Sequence, residues 1–184
     1  FSLGTCFDTE SPEFDYITLF REEVVIVVPS FHPLALRCTD THGDPTKRLP
    51  QAEPLELSDS PFILMTPGTS IRKISDYIFA QAGFTPTVVY ESGNNTVIKN
   101  MVRGSGIGFQ PRSLARLNDP DIAYLSLSPR VFLDLCIILK KGTILTESER
   151  YFIYLMMLND MGDPYYTPDF NEAARAIWNE FHTE

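Results

Sequence analysis

The chain has 184 residues, 43% of them hydrophobic and 12% aromatic, with no low-complexity tract or fixed-period repeat; disorder is excluded, and the length suits one domain or two small lobes with a real core. Its 24 acidic and 15 basic residues give a net charge of -9, which excludes a chain that neutralises a phosphate backbone by itself. Cys6, Cys38 and Cys136 are odd in number, far apart and without metal-ligand spacing, so they read as buried thiols in a reducing compartment, with no metal site. The longest apolar run, Tyr151 to Leu158, is too short to cross a bilayer, and no charged-then-apolar leader opens the chain. The expectation is a soluble cytoplasmic protein without membrane contact. The opening "FSLGTCF" starts at full strand hydrophobicity, as a fragment beginning inside a strand would.

Phe1 to Cys6 reads as a buried strand and "DTESPEFD" as a polar loop. Val24 to Val28 is apolar and β-branched at every position, which predicts a strand covered on both faces in a parallel or mixed sheet. Arg37 to Gln51 is polar and rich in turn formers, a surface connection. Phe62 to Met65 predicts a strand, Thr66 to Thr69 a turn, Ser70 an N-cap and Ile71 to Ala82 a helix with Ile71, Ile74 and Ile78 on one face and Gly83 at its end. "TPTVVYE" is the next strand, and "NNTVIKNMVRG" a short helix stopped by Gly104. "GIGFQP" is a short strand ended by Pro111, and Ser113 to Leu117 a further helix. A weak strand "IAYLSL" leads to the apolar "VFLDLCIILKKG". Thr146 and Glu149 form a capping box for a helix to about Leu158, and Asp169 with Glu172 repeats that spacing before "AARAIWNEF". Strands alternating with helices make the class α/β.

Several of these pieces occur in a telling order: a strand closing on His32-Pro33-Leu34-Ala35, a hydroxyl-rich turn entering a helix with an early Arg72, a Gly83-Phe84-x-Pro86 step, a strand ending in Glu91, and Val102-x-Gly104-x-Gly106-Ile107-Gly108-x-x-Pro111. Together they resemble the effector-binding domain of LysR-type transcriptional regulators, over roughly Phe1 to Leu158. The resemblance implies a fold like that of type 2 periplasmic solute-binding proteins: two lobes with mixed sheets joined by crossing strands, and a small-molecule effector held in the cleft. Lobe I would comprise residues 1–30 and 133–163, lobe II residues 31–132, and residues 164–184 a tail with a short helix. Family members carry an N-terminal helix-turn-helix, a linker helix and the first elements of lobe I, all absent here. DNA binding would therefore come only through that missing domain, in a full protein that is a homo-oligomer, a dimer or tetramer. The alternative on the same fold is a free-standing periplasmic-type solute-binding protein.

The functional question centres on "MTPGTSIR". A helix N-terminus exposes unsatisfied N–H groups and the positive end of the macrodipole, which favours an anion by about 0.3 to 2 kcal/mol. Either Thr66, Pro67, Gly68, Thr69 and Ser70 only build a cap, or they receive a small anionic ligand outside the carboxyl end of a strand, where ligands of open α/β sheets bind. Asn94, Asn95 and Thr96 form a second strand-to-helix turn with the same two readings. Phe109 and Gln110 resemble the family segment that lines the cleft, and Arg21 falls where some members place a basic cleft residue; its other reading is an exposed arginine paired with Glu22 or Glu23. His32 reads as structural. Glu22 and Glu23 point to opposite faces of a strand and make no carboxylate pair. The Gly104-x-Gly106-x-x-Phe109 string follows a helix, the reverse of a dinucleotide-binding context. With no catalytic constellation and no cofactor motif, an enzyme is not expected. The aromatic tail, with Tyr165, Tyr166, Phe170, Trp178 and Phe181, is expected to dock on its own chain.

Overall fold

The five β-branched residues Val24 to Val28 have stiff side chains that suit a pleated strand, and each is 0% exposed in a computed structural model of the chain. The structure describes residues 1–7, 9, 11–38, 48–115 and 119–182. In chain order the elements are β1 (Ser2–Cys6), β2 (Phe14–Pro29), β3 (Gln51–Ala52), β4 (Pro61–Met65), α1 (Ser70–Ala82), β5 (Thr87–Ser92), α2 (Asn95–Val102), β6 (Gly108–Pro111), β7 (Ile122–Lys140), α3 (Glu147–Asp160), β8 (Tyr166–Pro168) and α4 (Glu172–Phe181). Two compact units emerge, one of Phe1–Glu22 with Asp134–Glu184 and one of Glu23–Leu133, so β2 and β7 each run from one unit into the other.

In the first unit β1 pairs antiparallel with β7, and β8 adds antiparallel to β2 opposite Phe20 to Glu22. Ile17, Leu19, Phe20, Ile137 and Leu139 of the strands bury against Ile153 and Met157 of α3 and Ala174 and Ile177 of α4. The Thr146–Glu149 capping box is formed as expected. The tail docks on its own chain: the Phe170 ring meets Phe20 and Trp178, each at 5.6 Å, and Arg150 holds Glu180 through two hydrogen bonds of 2.8 and 2.9 Å. Its helix is capped by Asn171, whose Oδ1 accepts from the Ala174 amide at 3.0 Å, and not by Asp169. Asn171 also donates to the Tyr16 carbonyl, which a cap two residues earlier would not reach.

Cys136 is 0% exposed in this core, with Thr18 Oγ1 at 3.7 Å, and burial pushes its thiol up to about 12. At pH 8 only about one Cys136 in ten thousand is then thiolate. Iodoacetamide at pH 8 is expected to leave Cys136 unmodified in the folded protein and to alkylate it once urea is added; prompt labelling of the native chain, read by peptide mass, would contradict this burial.

In the second unit β4 and β5 pair in parallel, β3 pairs in parallel with β7, and β6 pairs antiparallel with β2 from Val24 to Val27. A parallel bridge between Phe62 and Ile107 joins β6 to β4. Phe62, Phe79, Phe84 and Phe109 form the centre of the core, with Phe62 lying 4.8 Å from Phe79 and 6.1 Å from Phe109.

Three expectations are corrected. Phe1 to Cys6 is an edge strand, with Phe1 and Leu3 more than half exposed, because it ends the sheet and pairs with β7 alone. "IAYLSL" and "VFLDLCIILK" are one continuous strand, β7. The helix expected at Ser113 to Leu117 is a single 3-10 turn, Arg112–Leu114; residues 116–118 lie outside the described residues, as do residues 39–47 of the polar connection.

Candidate functional site

The chain leaves the buried strand β4 at Thr66, turns through Pro67 and through Gly68 at φ +92°, and enters α1. A left-handed residue here favours glycine. Thr69, not Ser70, is the N-cap: its extended backbone lets Oγ1 accept from the Arg72 amide at 3.2 Å while its hydroxyl donates to the Thr66 carbonyl at 3.0 Å. Ser70 is the first helical residue. Two neighbouring hydroxyls satisfy the same capping preference, so only the backbone angles separate them. The second turn repeats the design. β5 ends at Ser92, and Asn94 caps α2 by accepting from the Thr96 amide at 2.8 Å.

The two turns are neighbours. The Thr66 amide donates to the Ser92 carbonyl at 3.1 Å, and a Cβ built on Gly93 would stand 3.7 Å from Thr66 Oγ1. Both helix N-termini therefore open at the carboxyl edge of the same parallel strand pair, the position that gathers positive backbone dipoles. β6 joins from the other side: the Ile63 amide donates to Ile107, and the Ile107 amide to Pro61, both at 2.8 Å. Beyond that bridge β6 pairs with β2, where Gln110 stands opposite Val25.

Not every expected contact is available at this edge. Thr69 Oγ1 is engaged in both directions by the cap. The Phe109 ring is 1% exposed and packs on Phe62 and Phe79, so it belongs to the core of this unit. Among the described residues the buried Asn95 Oδ1 has no partner, and Gln110, 1% exposed, has none for its Nε2. Arg72 is held by Asp76 at 2.9 Å, by Glu91 and by the Met65 carbonyl at 3.1 Å. Burial alone would lower its pKa, but the hydrogen bonds it donates to Asp76 and Glu91 leave it raised, a fixed cation serving the frame.

Arg21 belongs to the first unit, where it faces Asp169 at 3.8 Å and not Glu22 or Glu23. His32 is structural: Nδ1 accepts from the Leu34 amide, Nε2 meets Ser60 Oγ at 3.2 Å, and burial lowers its pKa. A feature invisible to sequence patterns is the buried carboxylate of Glu23, which accepts from Arg112 at 3.1 Å and lies 3.7 Å from Arg130. Glu22 and Glu23 are 3% and 6% exposed, and for Glu23 the fold supplies the guanidinium groups. A mainly apolar groove of the second unit, about 320 Å³, runs along the far end of α1, lined by Leu55, Tyr77, Ile78, Ala82, Pro129 and Val131 with Glu53, Gln81 and Ser128 among them. Among the described residues no helix is long and apolar enough to cross a membrane, and no cluster of His, Cys, Asp or Glu has the makings of a metal site.

The family model described as the LysR substrate binding domain matches residues 3–157. The chain belongs to the LysR substrate-binding domain family. A curated relative of this LysR domain, the uncharacterized HTH-type transcriptional regulator YybE of Bacillus subtilis (strain 168), is 30% identical over 97 residues, 52% of this chain. The match spans only 29% of that relative. Among solved structures, the effector binding domain of QuiR in complex with shikimate is similar at TM-score 0.64 and 20% identity, over 89% of this chain and 73% of that one. The Synechocystis PCC6803 CcmR regulatory domain in complex with 2-PG is similar at TM-score 0.66 and 19% identity, over 88% and 74%. At such identities the likeness establishes the fold, that of a LysR effector-binding domain of the periplasmic-binding-protein type in the α/β class.

Proposed function

We propose that this LysR substrate-binding domain is the ligand-sensing part of a transcriptional regulator, and that it receives a small, anionic effector at the edge formed by Thr66 to Ser70, Asn94 to Thr96 and Gln110. The observation that carries this reading is the pairing of two helix N-termini over the ends of one parallel strand pair; the buried Gln110 amide, with no partner for its Nε2, is a further candidate contact in the same unit. The macrodipoles favour a carboxylate or phosphate there without a mobile cation. The relatives named above support a small organic acid: two of the similar domains are described with shikimate and 2-PG. In the full-length protein, effector binding would bias DNA binding by a helix-turn-helix domain, within a homo-oligomer, through a coupling of about 1 to 3 kcal/mol.

Calorimetry against a panel of small carboxylates tests the site. Thr69→Ala, which frees the Arg72 amide and loosens the α1 cap, is expected to weaken the best binder about fivefold, and Gln110→Ala about tenfold or more, because a donor aimed at the anion is lost. Unchanged affinity in both variants would refute the site.

A further inference from the structure

The groove at the far end of α1 lies wholly within the second unit. Its volume of about 320 Å³ is at the lower limit of small-molecule cavities, the size for a single ring with a short side arm. The apolar walls come from three segments: Pro54 and Leu55 ahead of β4, Tyr77 and Ile78 of α1, and Pro129 and Val131 of β7. Leu55 and Tyr77 are 60% and 46% exposed. Hydrophobic surface left open around a concavity is surface that a ligand ring gains by covering. Charge then decides which ring. Glu53 is the one ionised side chain among the lining residues. The neighbouring guanidinium groups are engaged elsewhere, Arg37 with Glu56 at 3.1 Å and Arg130 facing Glu23 at 3.7 Å. Among the described residues no cation pairs with the Glu53 carboxylate. Beside hydrocarbon walls this charge repels an anion and attracts a cation more strongly than it would in open water, and the face of the Tyr77 ring favours a cation as well.

We propose that this groove is a second ligand site, which takes a small aromatic amine: the ring lies against Tyr77, Pro54 and Pro129, and the ammonium group pairs with the Glu53 carboxylate. The site is separate from the proposed anion edge in place and in sign of charge. It uses the C-terminal half of α1, from Tyr77 to Ala82, and none of the residues at the N-terminal turn. Its ligand is therefore a molecule other than the anionic effector, and the inference stands or falls independently of that reading. The ring supplies most of the binding, because an exposed ion pair alone contributes little; the charge selects among rings of equal size.

The test uses heteronuclear NMR titration of the whole chain at pH 7 with three probes that share one ring and differ in the head group: tyramine, tyrosol and 4-hydroxyphenylacetate. Tyramine is expected to shift the amides of Tyr77, Gln81 and Ala82 with a Kd of about 0.1 to 1 mM, the range open to a ligand of this size. It is expected to bind at least threefold tighter than neutral tyrosol and at least tenfold tighter than the anionic acid. Glu53→Gln, which keeps an acceptor oxygen at that position, is expected to bring tyramine within twofold of tyrosol while tyrosol binds as before. Ala82→Trp, which fills the groove from α1, is expected to abolish all three shifts. A tyramine Kd no lower than that of tyrosol overturns the amine assignment. No movement of those three amides at about 10 mM tyramine overturns the site, and butylamine matching tyramine overturns the role of the ring. The comparison of probes on the parent chain needs no variant, so a variant that folds poorly leaves the question decided.

Discussion

Gly106→Ala is expected to destabilise the second unit by about 2 to 4 kcal/mol, combining backbone strain with a forced contact. Gly106 has φ +120°, where L side chains rarely go, and a Cβ there would stand 2.8 Å from the Pro61 carbonyl oxygen and 3.3 Å from Ile63. That same carbonyl accepts the Ile107 amide, one of the two hydrogen bonds fastening β6 to β4. Pushing Pro61 away therefore loosens the strand that carries Gln110, and ligand affinity should fall with stability. Gly68→Ala is the comparison: φ is +92° but nothing lies within 4 Å of the added methyl, so only the strain remains, about 1 to 2 kcal/mol. Urea unfolding of both variants separates the two contributions. A Gly106→Ala midpoint no lower than that of Gly68→Ala would show that the forced contact is relieved without consequence.

Arg112→Ala is expected to cost about 3 to 5 kcal/mol, because it strands the Glu23 carboxylate in the interior. The two side chains are 10% and 6% exposed and 3.1 Å apart, and Arg130, the second cation, is farther at 3.7 Å and more exposed. Mutual removal should be milder: Glu23→Leu with Arg112→Met is expected to recover at least half of the loss, since an apolar pair of similar volume leaves no buried charge. A double variant as unstable as Arg112→Ala in urea would mean that the guanidinium matters for other contacts and not for Glu23.

The helical half of the second unit was legible in the sequence because its signals are local. Ile71, Ile74 and Ile78 recur at helical spacing, and Gly83 closes α1 in the left-handed conformation expected of it. Val24 to Val28 likewise declared a strand buried on both faces. Legibility ended where burial depends on distant partners. β5 carries Val88, Val89 and Tyr90, residues that argue for a core, yet each is more than a third exposed, because propensity describes a strand and says nothing about which layers cover it. Glu22 and Glu23 failed in the opposite sense. Of the candidate site, the two turns were readable as polar residues after strands and Gln110 came only from the family resemblance, whereas the inward turn of Phe109 and the full engagement of Thr69 were not readable. Both follow from the packing of α1 on β4 and β6. The caps at Thr69 and Asn171 were misplaced by one and two residues for a simpler reason: Ser, Thr, Asn and Asp share one chemistry, and neighbours compete for it.

The hydrogen bond from the Thr66 amide to the Ser92 carbonyl has a bearing on how such a receptor changes over time. Both turns of the proposed ligand entrance are tied to each other through main-chain atoms, which no substitution removes except one to proline. Side chains around the doorway are thus at liberty to drift, trading an amide for a hydroxyl or a methyl, while the frame keeps its shape. One scaffold can then be retuned from metabolite to metabolite by a handful of point changes, without rebuilding the architecture beneath.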